Sequence, residues 1–234
     1  MALSLKTRAV GDVTIVQCAG RIVAGAETES LREHVIRLLP NQRDIALHLG
    51  DVVFIDSSGL GMLVRLLTTT RSAKGDLKLC NVPEGVYKVL KMTNLITLFD
   101  VHDSEEAVVS GFYRKRAIPG RASAAGPAIL CLDQSADVLA YLRVLLGNAG
   151  YNVMTNSRMA DALILVRATR PKLLILGPSL SASAGTMESF HAACATLQVV
   201  ELGNEFSALD AGQAASDLLE NLQTRLHPHG GLPS

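Results

Sequence analysis

The spacing of hydrophobic positions changes repeatedly along the chain, and each change predicts an element. Residues 3–20 alternate partially between apolar and polar, with β-branched stretches on either side of Gly11-Asp12. This predicts two short strands joined by a turn, the second closed by Gly20. From Ala26 the apolar residues Leu31, Val35, Leu38 and Leu39 recur at helical spacing, with Glu27 and Glu29 in the first turn and Pro40-Asn41 as the stop. Ile45–Leu49 and Val52–Ile55 follow as short apolar strand runs. After Asp56, Leu60, Leu63, Leu66 and Leu67 return to the helical period, and Gly75 is placed as the residue just past the helix end. Leu77–Val82 alternates as a strand, and Pro83 opens a helix to about Met92 with Val86, Val89 and Leu90 on one face. Leu98–Val101 reads as one more strand, and Ser104-Glu105-Glu106 cap a last helix to about Phe112. The order is β-β-α-β-α-β-α-β-α, an α/β unit with helices crossing between strands of one sheet.

Beyond Phe112 the pattern stops. Residues 113–127, Y-R-K-R-A-I-P-G-R-A-S-A-A-G-P, hold two prolines, small residues and four basic side chains with no acid, which reads as a linker. The α/β rhythm then restarts. Ala128–Leu132 is a strand, Val138, Leu142, Leu145 and Leu146 line a helix ending near Gly150, and Tyr151–Met154 is a strand. A helix carries Ala160, Leu163, Ile164 and Val166, and Leu173–Leu176 is a third strand. A small-residue loop spans Ser179–Gly185, a helix runs through Phe190, Leu197–Leu202 is a fourth strand, and Ala214–Leu226 is a final amphipathic helix. The expected organisation is a first domain over 1–112, a linker over 113–127, a second domain over 128–226 and a disordered tail over 227–234.

Charge and composition narrow the function. Of 234 residues, 48% are apolar and 19% charged, as in a globular protein. Lysine plus arginine and aspartate plus glutamate balance at 22 each, which removes the global positive field that nucleic-acid or anionic-membrane binding uses. MALSLKTRAV lacks the apolar core of a signal peptide, and no stretch approaches twenty uninterrupted apolar residues, so a cytoplasmic protein without membrane spans is expected. Cys18, Cys80, Cys131 and Cys194 are widely separated, with no Cys-x-x-Cys and no histidine at metal spacing. They read as buried reduced thiols, and no metal or cofactor is expected. His48, mid-strand with no acidic or hydroxyl neighbour in sequence, reads as structural.

The stretch D-V-V-F-I-D-S-S-G-L-G, Asp51–Gly61, is a strand running into a helix start, with hydroxyls where backbone N–H groups lack helical partners. Alone, such serines are caps. With the surrounding element order and the later V-L-K-M-T-N-L after P-E-G, residues from about Leu3 to Phe112 resemble the STAS family, specifically the bacterial anti-sigma-factor antagonists. The resemblance implies a STAS-type mixed sheet with helices, no enzymatic activity, and a phosphoprotein of bacterial transcription regulation. It implies Ser57 as the phosphoacceptor, Asp56, Ser58, Gly59 and Leu60 as the partner-binding neighbours, and an anti-sigma factor with serine-kinase activity and a phosphatase as partners. Self-association is left open. Where many antagonists carry an acidic Glu-Leu/Ile-Asp after the second strand, this chain has Arg21-Ile22-Val23-Ala24. A phosphorylation-independent STAS scaffold in a sensory or stress complex is therefore the alternative.

The second domain, through I-L-C-L-D-Q, G-Y-N-V and R-P-K-L-L-I-L, is similar to a response-regulator receiver, a flavodoxin-like parallel α/β fold used in signal transduction. The resemblance places the phosphate-accepting aspartate at the end of the third strand, where Gly177-Pro178 stand. The acidic pair after the first strand is reduced to Asp133-Gln134, and the chain is short by about one strand–helix unit. A degenerate, truncated pseudo-receiver is expected, without aspartyl phosphate or bound Mg²⁺. One enzymatic alternative uses Ser57 as a hydrolase nucleophile. That chemistry needs a base and an orienting acid, and His34, His48 and His102 lie in no such motif. D-S-S-G-L-G is also not the G-x-S-x-G elbow.

Overall fold

The computed structural model of the chain describes residues 2–116, 126–180, 184–203 and 211–226. Two compact units divide it, Met1–Arg116 and Ala117–Ser234. The expectations for 117–125 of the linker, 181–183 of the small-residue loop and the tail 227–234 lie outside the described residues.

The first unit is a mixed five-stranded sheet in the order β1-β2-β3-β4-β5. Strands β1 (Ser4–Val10) and β2 (Val13–Ile22) form an antiparallel hairpin, turning at Gly11 with φ of 60°. Strands β3 (Asp44–Ile55), β4 (Asp76–Cys80) and β5 (Val101–His102) follow in parallel. One sheet face presents Val16, Cys18, Leu47, Leu49, Leu77 and Leu79. Helices α1 (Ala26–Leu38), α2 (Ser57–Ser72) and α3 (Glu84–Met92) bury Leu31, Val35, Leu63, Leu66, Leu67, Val86 and Leu90 in that same core. Helix α4 (Glu105–Arg116) covers the other face with Val108, Val109 and Phe112. All of β4 is therefore buried, Lys78 included. The lysine's ammonium pairs with Asp100 and lies 5.0 Å from the Phe112 ring centroid, so its charge is compensated where the alternating pattern alone showed only a polar position.

Four local differences from the sequence reading have physical causes. The two short runs over 45–55 are one strand with two register shifts against β2: Gln17 pairs with His48 but Ala19 with Asp51, and Gly20 with Val52 but Arg21 with Phe54. These bulges re-aim side chains, so Val52 and Ile55 turn inward while Val53 and Phe54 both face out, 69% and 48% exposed. The strand expected over 98–101 is instead a 3₁₀ turn at Leu95–Leu98 followed by the two residues of β5, because the ladder to β4 begins only where Leu79 N–H donates to Asp100. After α2 it is Lys74, with φ of 62°, that takes the left-handed conformation. Gly75 serves close approach instead, since a Cβ there would stand 2.0 Å from the Arg43 carbonyl oxygen. Helix α4 continues past Phe112 to Arg116 because its end is tied down: Asp12 N–H donates to the Tyr113 hydroxyl, and Lys115 bonds Asp76 at 2.7 Å.

The second unit alternates strands and helices. They are β6 (Ala128–Leu132), α5 (Ala136–Asn148), β7 (Asn152–Asn156), α6 (Met159–Thr169), β8 (Leu173–Leu176), α7 (Ala184–Ala193), β9 (Gln198–Glu201) and α8 (Ala211–Leu226). All pairings are parallel and the order is β7-β6-β8-β9. The apolar runs of β6 and β8 are buried, as strands covered on both faces require. Ile129, Cys131, Leu173 and Ile175 pack against Leu142 and Leu146 of α5 and Leu218 and Leu222 of α8.

Candidate functional site

At the end of β3 the chain must leave an extended strand and start a helix within one residue, and Asp56 makes that step. Its backbone is extended, with φ of −99° and ψ of −178°, and Oδ1 accepts from Gly59 N–H at 2.8 Å as a helix N-cap. Oδ2 accepts from Ala24 N–H at 3.0 Å, and Asp56 N–H donates to the Ile22 carbonyl at 3.2 Å. The carboxylate thus joins the start of α2 to the end of β2. These N–H donors, from Ala24 first and then Gly59 and Ser58, with the charge of Arg21, hold the Asp56 carboxyl below the usual carboxylate range.

Ser57 and Ser58 are the first residues of α2, and both are exposed. Among the described residues neither hydroxyl has a hydrogen-bond partner, so the capping role falls to Asp56. Gly59 is buried, and a Cβ there would stand 2.3 Å from the Ile22 carbonyl oxygen and 2.7 Å from Ile55 Cγ1. Only glycine lets the helix start that close to β2. Leu60 is buried in the main core. The step is therefore anchored below by Gly59 and Leu60 and stapled by Asp56, and it holds the Ser57 hydroxyl out to solvent.

Two features of this surface went unread in the sequence. Arg21 lies over Phe54, guanidinium carbon to ring centroid 5.3 Å, and Val53 stands exposed beside them. The apolar run V-V-F-I gave no sign that two of its members face outward, because the bulges that turn them depend on pairing with β2.

The three histidines lie elsewhere. His34 Nε2 is 2.6 Å from Thr7 Oγ1, with its pKa lowered by burial and by the Arg37 charge. His48 Nδ1 accepts from Gly50 N–H at 3.3 Å, and His102 Nε2 is 3.1 Å from Asp100. Among the described residues none of the three is a hydrogen-bond partner of Ser57. Burial pushes the thiols of Cys18, Cys80 and Cys131 up to about 12, and no group of His, Cys, Asp and Glu among the described residues is arranged to hold a metal ion.

The corresponding edge of the second unit is closed. Asp133, at the end of β6, is fully buried. Its carboxylate accepts from Ser135 N–H at 2.6 Å and from Ser179 N–H at 3.0 Å. Gly177, at the end of β8, faces it, and a Cβ at 177 would stand 2.0 Å from Asp133 Oδ2. The carboxylate fills the space a side chain at 177 would need.

Residues 4–108 match the STAS domain family model. BtrV of Bordetella bronchiseptica, named as an anti-sigma factor antagonist, is 28% identical over 109 residues, which cover 46% of this chain and 92% of BtrV. The anti-sigma-B factor antagonist of Bacillus subtilis is 32% identical over 79 residues, 34% of this chain and 72% of that protein. Among solved structures, TM1081 of Thermotoga maritima is 27% identical, covering 47% of this chain and 95% of its own, with a TM-score of 0.44. No described helix is long and apolar enough to cross a membrane. Through its first unit the chain belongs to the STAS domain family, with anti-sigma factor antagonists as its homologues.

Proposed function

We propose that the chain is an anti-sigma factor antagonist that switches partners at Ser57 in the bacterial cytoplasm. Unphosphorylated, it holds an anti-sigma factor with serine-kinase activity. Phosphorylated on Ser57 by that partner, it lets go, and a phosphatase resets it. The observation that carries this reading is an exposed, unbonded hydroxyl at the first residue of α2, on a step stapled by Asp56 and anchored by buried Gly59 and Leu60. A phosphate there adds about −1.5 to −2 charges near the positive helix end, which tolerates it. A partner docked over the same step must then desolvate a dianion, and each ~1.4 kcal/mol lost lowers affinity tenfold. Asp56, half-buried, and Ser58, exposed, are the contacts in this proposal, while Gly59 and Leu60 set the step from beneath.

The second unit takes the part of a binding surface. Its strand order, β7-β6-β8-β9, is the 2-1-3-4 start of the flavodoxin-like order, which supports a receiver-like fold shortened by one unit. Gly177 stands where a receiver's acceptor would be, with Asp133 against it, which supports the absence of phosphotransfer there.

Affinity capture with wild type and Ser57→Asp, combined with phosphosite mapping after incubation with the captured kinase and ATP, tests the proposal. An ATP-binding kinase retained by wild type alone, freed of its sigma factor, with one phosphate at Ser57, is the expected outcome. Equal retention by both proteins points to the phosphorylation-independent scaffold and overturns the switch, as does a phosphate mapped elsewhere.

A further inference from the structure

Arg21 and Phe54 face each other across the β2–β3 ladder, and the guanidinium carbon lies 5.3 Å from the ring centroid. Arg21 is exposed and Phe54 is 48% exposed, so this is a solvent-facing cation–π contact, among the weaker of its kind. The arginine's charge also reaches Asp56. The Asp56 oxygens, however, are already occupied by the N–H groups of Ala24 and Gly59. Ser57 follows Phe54 by three positions, at most about 11 Å of extended chain. The guanidinium therefore rests lightly on a ring whose residue lies within about 11 Å of chain from Ser57.

We infer that Arg21 is the counter-ion of a phosphate on Ser57: on phosphorylation the guanidinium leaves the Phe54 ring for the phosphate, and Phe54 is uncovered. This rests on the reading of Ser57 as the phosphoacceptor and names how that site is read. A charge-assisted, bidentate guanidinium–phosphate pair is stronger than an exposed stack on an aromatic ring, and arginine's planar fork suits it. The modification then changes two things at once. It places an anion at the start of α2, partly neutralised by Arg21, and it exposes an aromatic face beside Val53 that was covered before. A partner senses the rearranged Arg21–Phe54 pair as well as the added charge. The basic residue at position 21 acquires a role through this contact.

The test uses the full chain with phosphoserine installed at position 57 during translation. Phosphorus NMR follows the second ionisation of the phosphate in the wild-type sequence and in Arg21→Gln, Arg21→Lys and Arg65→Gln. The expected result is a phosphate pKa about half a unit lower in the wild type than in Arg21→Gln, since a nearby cation favours the dianion. Arg21→Lys restores part of the shift. Arg65→Gln removes the same charge about 12 Å along α2 and leaves the titration unchanged. The Arg21 side-chain proton resonances also lose the Phe54 ring-current shift on phosphorylation. Both arginines are exposed, so the substitutions leave the fold in place. Coincident titrations of wild type and Arg21→Gln, or a ring-current shift that persists in the phosphoprotein, overturn the inference. Because the phosphate is installed in synthesis, that failure is separate from whether a kinase modifies Ser57, which phosphosite mapping reads independently.

Discussion

Both units end a parallel strand on an aspartate whose two oxygens accept backbone N–H groups, yet the two aspartates do opposite things. Asp56 bridges Ala24 and Gly59 at the surface and leaves the next residue, Ser57, exposed and unbonded. Asp133 bridges Ser135 and Ser179 in the interior and fills the space in front of Gly177. The same local device makes an accessible step in the first unit and a plug in the second. What differs is which position carries the glycine. Gly59 sits behind the step, where it lets the helix start approach β2, whereas Gly177 sits in front of the carboxylate, where any side chain would collide with it.

The largest expected effect comes from reversing that second arrangement. Gly177→Asp forces a second carboxylate against a fully buried one, and costs the second unit about 3–5 kcal/mol. Chemical denaturation should show that unit unfolding first while the first unit's transition stays in place. A variant that instead remained folded and gained Mg²⁺-dependent phosphorylation by a small phosphodonor would break the contrast. Gly59→Ala is next. Its methyl meets the Ile22 carbonyl oxygen, a backbone atom that cannot step aside, and the first unit should lose roughly 1–3 kcal/mol in the same assay.

A smaller effect, tied to pH, comes from Asp76, which joins β4 to both α2 and α4. Burial raises its pKa, but Lys115 at 2.7 Å and Arg71 at 3.3 Å outweigh this and leave it below the ordinary value. A carboxyl whose folded pKa is depressed contributes stability that is present above its unfolded pKa of about 3.9 and is lost as pH falls through the folded value. Asp100, lowered by Lys78 and His102 against the opposing effect of burial, acts in the same direction. Melting temperature of the first unit should therefore fall as pH drops below about 4. Asp76→Asn should cost about 1–2 kcal/mol at neutral pH and flatten that acid limb. An acid limb identical to wild type would mean the Lys115 and Arg71 contacts contribute nothing.

The smallest effect sharpens the comparison most. Ser57→Ala removes a hydroxyl without a partner and should change stability by no more than about 0.5 kcal/mol. A loss near the roughly 1 kcal/mol of a helix cap would show that the serine shares the work of Asp56.

Much of this was legible in the chain itself, because periodicity and turn chemistry are local. The alternation around Gly11-Asp12, the 3.6-residue stripe after Asp56 and the apolar runs of β6 and β8 each report which faces are buried, and the element order of both units follows from them. That a helix starts just after Asp56 was also readable, although the cap expected from the serines is made by Asp56. Other features belong to the tertiary structure alone. The bulges in β3 arise from pairing with β2, and they decide that Val53 and Phe54 face outward and that Phe54 meets Arg21. Burial of Lys78 required α4 to cover the second face of the sheet. The closing of the second unit's strand edge required Asp133 and Gly177, far apart in sequence, to meet. A sequence states what each segment prefers by itself. Which exposed hydroxyl stands free, and which carboxylate blocks its own crevice, is settled by register and close approach between strands, and those exist only once the sheet has formed.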